Sequence, residues 1–190
     1  MKSDEHLEWK EISREKVCAT PIFDVYKTVR KSAEGKNAAF TFIECGDWVN
    51  VVPLVKNEKG EDCFLMVRQY RQGSKSITLE FPGGLVDSGE SAEQAGRREL
   101  REETGCEAGT FIFAGKINPN PAFMVNSCST FIACDLRKIT EQDLDENEIV
   151  DCELIPVSEL ERDMGTGIHI HAIMVAALFW YQKWKKSGKN

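Results

Sequence analysis

The apolar and polar positions over residues 7–45 read as short β-prone runs broken by turns. Glu11–Ala19, Pro21–Val29 and Ala38–Cys45 are the first predicted strands, with a turn over Ser32–Asn37. Trp48–Val55 and Cys63–Tyr70 form a predicted hairpin across Asn57–Asp62, and Ile77–Phe81 adds a short strand. The period then lengthens. Pro82-Gly83-Gly84 and Asp87-Ser88-Gly89 read as loop, and Ser91 with Gln94 three residues on has the spacing of a capping box. A helix is therefore expected over Ser91–Thr104, closed by Gly105 as a left-handed C-cap. Strands are expected again at Gly109–Ile117, Ser129–Leu136 and Ile149–Ile155, with an acidic loop, Thr140–Glu148, before the last. A short helix starts at Pro156. A longer one spans Ala172–Lys185, its apolar face including Ile173, Val175, Ala176, Leu178, Phe179 and Trp180. Strands, helix, strands, helix is the order of an α/β (α+β) protein, a mixed sheet with helices on its faces. Residues 1–46 are expected to form an antiparallel β extension and residues 47–190 the main domain.

Composition narrows the function. The chain has 190 residues, 31 acidic against 24 basic, for a net charge of −7. That balance argues against a nucleic-acid polymer as partner, since a phosphate backbone needs clustered Lys and Arg. The longest apolar run, Ala172–Tyr181, is about half the roughly 20 residues of a membrane-spanning helix, so no membrane partner is expected. The polar N-terminus lacks the apolar core of a signal peptide. Seven cysteines, an odd number with no Cys-x-x-Cys, read as buried thiols and not as a disulfide framework. A cytoplasmic location is the expectation.

The candidate chemistry lies on the helix after the glycine loop. Glu99, Glu102 and Glu103 fall within one turn of each other and project from one face. Clustered carboxylates repel and raise one another's pKa. A divalent cation removes that cost, and hard oxygen ligands suit Mg²⁺ or Mn²⁺. Arg98 can pair with Glu102 and with Glu90. Alone, a Glu-x-x-Glu-Glu is usually a solvated helix face. Here the spacing is longer: Gly84, five residues, Glu90, seven residues, then Arg98-Glu99-Leu100-Arg101-Glu102-Glu103-Thr104-Gly105-Cys106. All seven fixed identities of the Nudix box are present in register. The chain thus resembles the Nudix hydrolases, whose loop–helix–loop lies on an α/β/α sandwich and which hydrolyse nucleoside diphosphates linked to another group. The resemblance implies that Glu99 and Glu103 are the principal metal ligands, with Glu102 and the Gly83 carbonyl as further ones. It makes Gly84, Glu90, Arg98 and Gly105 structural.

Beyond the box the chain looks like the ADP-ribose pyrophosphatase branch, through Val67-Arg68-Gln69-Tyr70-Arg71, Leu79-Glu80-Phe81-Pro82-Gly83-Gly84 and Asp145-Glu146-Asn147-Glu148. This resemblance implies cleavage of the pyrophosphate of ADP-ribose or a related nucleoside diphosphate sugar, giving a nucleoside monophosphate and a sugar phosphate. It makes Glu146 the base on the attacking water, Glu148 a metal ligand and Arg71 a phosphate contact. Phe23 becomes an adenine-stacking aromatic, and Pro121 part of the loop near the substrate. A bare acidic loop, an exposed strand-end arginine and a core phenylalanine are the competing readings of these residues. The chain departs from the branch at Val125-Asn126-Ser127, where better-known members carry an acidic residue beside an arginine, so the sugar stays open. By the same analogy the β extension implies a homodimer. His169 and His171 could bind a metal, but helix capping or a polar pocket is the favoured reading. The Lys183, Lys185, Lys186 and Lys189 tail suits a helix C-terminus. The alternatives are a non-catalytic sensor of nucleotide sugars and a Nudix hydrolase of a nucleoside triphosphate or dinucleotide.

Overall fold

The computed structural model describes residues 3–188; Lys189 of the basic tail lies outside them. The chain divides into two compact units, Met1–Gly46 with Asn118–Asn126, and Asp47–Ile117 with Ser127–Asn190.

The first unit is built on an antiparallel sheet of β1 (Trp9–Ala19), β2 (Asp24–Ser32) and β3 (Asn37–Glu44), in that order. Pro21–Phe23, expected to begin the second strand, turn the chain instead. The Thr20 hydroxyl donates to the Phe23 carbonyl at 2.6 Å and accepts the Phe23 N–H at 3.0 Å. This local side-chain turn competes with the ladder, to which Pro21 could not donate. Trp9 meets Phe40 edge-on, Tyr26 stacks on Phe42, and the Arg14 guanidinium lies 3.9 Å from the Tyr26 ring centre. Residues 118–126 join this unit through Ile43, which donates to the Phe123 carbonyl at 2.7 Å and accepts from Val125 at 3.2 Å.

The second unit is a mixed sheet with helices on both faces. Its strands are β4 (Trp48–Lys56), β5 (Asp62–Arg71), β6 (Ser76–Glu80), β7 (Gly83–Leu85), β8 (Cys106–Ile117), β9 (Cys128–Lys138) and β10 (Val150–Pro156). The order is β10-β5-β4-β9-β8, with β6 on β5 and β7 on β4; β4 and β9 run parallel and the other ladders antiparallel. The helices are α1 (Ala92–Thr104), α2 (Val157–Asp163) and α3 (Ala172–Lys186). Strand alternation divides the core. Val49 and Val51 on β4, with Phe131 and Ala133 on β9, meet Ala95 and Leu100 of α1. Val52 and Ile132, on the opposite face, join Phe64, Met66, Leu160, Met174, Leu178 and Tyr181 beneath α2 and α3. Each such side chain contributes about 1.5–3 kcal/mol by leaving water.

Three local expectations are corrected. Gly83-Gly84, read as loop, form β7, because the chain lies close enough to β4 to pair Asn50 with Gly83 and Val49 with Gly84. β8 starts at Cys106 rather than Gly109, since the Gly105 turn delivers the chain straight into register with Lys138. On α3 the buried residues are Met174, Ala177, Leu178 and Tyr181, while Val175 and Phe179 are exposed. The helix is apolar on more than one side, and the sheet selects the stripe that sets Tyr181 edge-on to Phe64 at 4.8 Å.

Candidate active site

The capping box fixes the start of α1. Ser91 Oγ accepts the Gln94 N–H at 3.2 Å, and Gln94 Oε1 accepts the Ser91 N–H at 2.8 Å. Gly105, at φ 70°, closes the helix by donating to the Arg101 carbonyl at 2.7 Å. A Cβ there would fall 2.1 Å from the Thr140 carbonyl oxygen, so the position needs glycine on two counts. Ala95, Gly96, Leu100 and Thr104 are buried against the sheet. That orientation leaves Glu103 fully buried and the Glu99 side chain only 13% exposed, while Glu102 lies further round.

Strand β7 meets these carboxylates. A Cβ on Gly84 would lie 2.3 Å from Glu99 Oε1, and one on Gly83 would lie 2.2 Å from the Val49 carbonyl oxygen. At Gly83 the obstacle is backbone and glycine is required, whereas a side chain at Gly84 would displace the Glu99 carboxylate. The Gly83 N–H donates to Glu103 Oε2 at 2.9 Å. Arg98 braces the other side. It donates to both oxygens of Glu90 at 3.2 and 3.1 Å, to Leu85 O at 3.0 Å, and to Glu99 Oε1 and Glu102 Oε2 at 2.9 Å each. The Glu90 and Glu102 pairs follow the sequence expectation; the Glu99 bond adds to it.

Burial dominates the electrostatics. It pushes the Glu103 carboxyl up to about 8 against the pull of the Gly83 N–H, with Glu99 and Glu148 adding repulsion. It pushes Glu99 up to about 7; Arg98 opposes this, and Glu102 and Glu148 reinforce it. Glu148, on the loop before β10, therefore shares a field with both helix glutamates. Glu146 is exposed on the same loop. Among the described residues no three carboxylate, thiol or imidazole groups form a ready-made cation cage. Instead Arg98 donates to Glu99 and Glu102, and the Gly83 N–H donates to Glu103.

Arg71, at the end of β5, is bound through Nε and Nη2 to both oxygens of Glu80, at 2.9 and 2.8 Å. Glu80 is 2% exposed and also accepts from Thr78 Oγ1 at 2.6 Å. His171 Nδ1 lies 3.0 Å from its other oxygen, at an angle short of a hydrogen bond. Burial would raise the Glu80 carboxyl, but Arg71, with His171 and Thr78, holds it well below the usual carboxylate range. Arg71 in turn feels Glu103 and Glu148. Sequence reasoning missed Glu80 as an organiser of the site. Strand alternation puts Glu80 on the polar face with Ser76 and Thr78, so its burial was not signalled by the pattern. His171 fills this polar pocket, as expected. Phe23 lies in the turn before β2 and Pro121 is exposed in the 118–126 segment, both in the first unit.

Comparison with known proteins agrees with the site. Residues 47–176 match the model of the NUDIX domain. The chain is 30% identical over 138 residues to the ADP compounds hydrolase NudE of Escherichia coli (strain K12), covering 73% of this chain and 71% of that protein. It is 28% identical over 146 residues to the ADP-ribose pyrophosphatase of Bacillus subtilis (strain 168), covering 76% and 77%. A crystal structure of ADP compounds hydrolase superposes with a TM-score of 0.82 at 25% identity, covering 96% of this chain and 97% of that one. With the box residues gathered around β7 and α1 and the family model spanning most of the chain, this protein belongs to the Nudix hydrolases.

Proposed function

We propose that the protein is a divalent-cation-dependent pyrophosphatase of ADP-ribose or a related nucleoside diphosphate sugar, releasing a nucleoside monophosphate and a sugar phosphate. The observation that carries this reading is the pair of buried carboxylates, Glu99 and Glu103, packed against Gly84 and Gly83 with their pKa values raised to about 7 and 8. Buried negative charge of this kind fits a hard divalent cation, Mg²⁺ or Mn²⁺, with oxygen donors. Glu99, Glu103 and the Gly83 carbonyl would hold it, with Glu102 and Glu148 as further ligands. When bound, the cation offsets the pyrophosphate charge and lowers the pKa of the attacking water. Glu146 would serve as the base for the attacking water, its exposed loop position leaving it accessible to solvent and substrate. Arg71 presents its remaining Nη1 to a phosphate oxygen, because Nε and Nη2 are held by Glu80. The roles of Phe23 as a face for the base and of Pro121 in the substrate loop rest on the family resemblance alone.

The names of the relatives, an ADP compounds hydrolase and an ADP-ribose pyrophosphatase, support the substrate class. The departure at Val125-Asn126-Ser127 favours testing several sugars. Incubation with Mg²⁺ and ADP-ribose, ADP-glucose, other nucleotide sugars and nucleoside triphosphates, with chromatography of products, decides the class. Turnover of a nucleotide sugar to the monophosphate supports the reading; no turnover of any nucleotide sugar by metal-replete protein refutes it. We further infer a homodimer formed through the first unit. Strand β1 is exposed along its whole length, carries Ile12 and Val17, and is an unpaired sheet edge. Light scattering should give about twice the 21.4 kDa of one chain; a monomer refutes the dimer. Among the described residues no helix is long and apolar enough to cross a membrane. Cys63, Cys106 and Cys128 are buried as expected, whereas Cys18 and Cys152 are exposed, since their strand positions face solvent; the buried thiols suit the reducing cytoplasm.

A further inference from the structure

The last turn of a helix leaves carbonyl oxygens without intrahelical partners, and these must be satisfied from elsewhere. In α1 they are satisfied mainly from residues 138–143 at the root of the acidic loop, with a thiol from β10. The Glu102 carbonyl accepts the Asp143 N–H at 2.9 Å. The Glu103 carbonyl accepts Gln142 Nε2 at 2.6 Å and the Cys152 thiol at 3.3 Å. The Thr104 carbonyl accepts Lys138 Nζ at 3.3 Å. The Gly105 carbonyl accepts the N–H groups of Ile139 and Thr140 at 2.9 and 3.2 Å.

Gln142 differs from the others because its amide also reaches the far end of the loop. Nε2 donates to the Val150 carbonyl at 3.1 Å and lies 3.7 Å from Cys152 Sγ. Two carbonyl acceptors fix the amide with its nitrogen inward, since its oxygen would meet oxygen there. One half-buried side chain thus joins three points: the backbone of Glu103, the start of the loop at residue 142 and its end at Val150. Between those ends lie Glu146 and Glu148. The loop is pinched at its neck, the form of a compact surface loop whose ends are close. Its interior is held by the Glu148 N–H on the Asp145 carbonyl at 2.9 Å.

We propose that Gln142 is a positioning residue for the hydrolysis: it ties the neck of the acidic loop to the helix turn that carries Glu103, and so aims the loop carboxylates at the site on α1. The inference rests on the reading of Glu146 and Glu148 given above. Gln142 touches neither substrate nor metal; it acts through the loop. A glutamate that swings from an unclamped neck samples many orientations, and misplacement by about 1 Å is enough to slow a reaction about 100-fold.

The test compares full-length wild type with Gln142→Leu, and with Gln142→Met should the branched side chain impair folding, using ADP-ribose and Mg²⁺. Expected for the donor-less variant is a fall in kcat of about 10- to 100-fold, with KM changed less than about threefold. Mn²⁺ affinity, read by its electron paramagnetic resonance signal, should fall by no more than about threefold, because Glu99 and Glu103 remain on the helix and only the Glu148 contribution is loosened. Gln142→Lys restores an N–H donor of similar reach and should recover most of the lost rate. The decisive arm introduces Gln142→Leu into an enzyme already carrying Glu146→Gln and Glu148→Gln, where it should cost less than about twofold, since there is nothing left to aim. If Glu146→Gln and Glu148→Gln slow the enzyme but Gln142→Leu turns over at the wild-type rate, the positioning role is overturned and the loop reading stands. If Gln142→Leu costs as much in the glutamate-less background as in wild type, it acts through general stability and the proposal is overturned. If the two glutamate variants keep full rate, the loop carboxylates are not used, and the loop reading falls together with the role given to Gln142.

Discussion

Glu103→Gln should make the metal-free protein more stable while removing its activity. The Glu103 carboxyl titrates at about 8 in the folded chain against an ordinary value of 4.5. Between those pH values the folded state holds a proton that the unfolded chain has released. Stability from this group is therefore present below about pH 4.5 and is lost as the pH rises through about 8. At pH 7 the gap from the ordinary value spans about 2.5 pH units, worth about 3 kcal/mol at 1.4 kcal/mol each. Glutamine is neutral and nearly isosteric, and its oxygen can keep accepting the Gly83 N–H that Glu103 accepts at 2.9 Å. In EDTA at pH 7 the variant should be more stable by about 2–3 kcal/mol, or about 4–12 °C in Tm. At pH 5 the difference should shrink below about 1 kcal/mol. Millimolar Mg²⁺ should raise the Tm of the wild type and leave the variant almost unmoved, because only the former has the carboxylate pair to bind it. Thermal melts followed by circular dichroism at pH 5, 6, 7 and 8, with EDTA and with Mg²⁺, provide the data. A variant no more stable than wild type at pH 7–8, or a gap that does not change with pH, would refute the claim that burial opposes ionisation of Glu103.

Two further substitutions test the supports of the site. Arg98→Ala leaves Glu90, Glu99 and Glu102 without their shared guanidinium; urea unfolding should show a loss of about 2 kcal/mol, discounted because Arg98 is 30% exposed. Arg98→Lys should recover less than half of it, since an ammonium cannot span the same fork, and full recovery would show that charge alone suffices. Gly84→Ala drives a methyl group to 2.3 Å from Glu99 Oε1, so the carboxylate must move. Turnover should drop about 100-fold, and a variant with wild-type kcat would show that the close approach of β7 to α1 is not needed.

Much of this arrangement was legible in the sequence because its signals are local. The capping box at Ser91 and Gln94, the left-handed Gly105 and the Arg98 pairs with Glu90 and Glu102 depend on residues within one helix or its caps, and the structure shows them. The box spacing pointed to α1, and α1 and β7 bring Gly83, Gly84, Glu99 and Glu103 together. What was not legible depends on contacts distant in the chain. Gly83-Gly84 became a strand because β4 lies alongside, which no turn propensity encodes. The buried stripe of α3 was misassigned because a helix apolar on several sides has its face chosen by the sheet. Glu80 was given no role, because only the fold brings Arg71, Thr78 and His171 around it. Gln142 gave no signal at all, since its role comes from the carbonyls at the end of a helix some 40 residues earlier in the chain.

The central claim is that Glu99 and Glu103 hold the cation that makes this chain a pyrophosphatase. Its most direct test is the rate of ADP-ribose cleavage in saturating Mg²⁺ by wild type, Glu99→Gln and Glu103→Gln, with phosphorus NMR of the products. The account predicts Mg²⁺-dependent formation of AMP and ribose phosphate by wild type, abolished by EDTA, and a fall of about 1,000-fold or more in each variant. Wild-type rates in either variant, or cleavage that persists unchanged in EDTA, would contradict it.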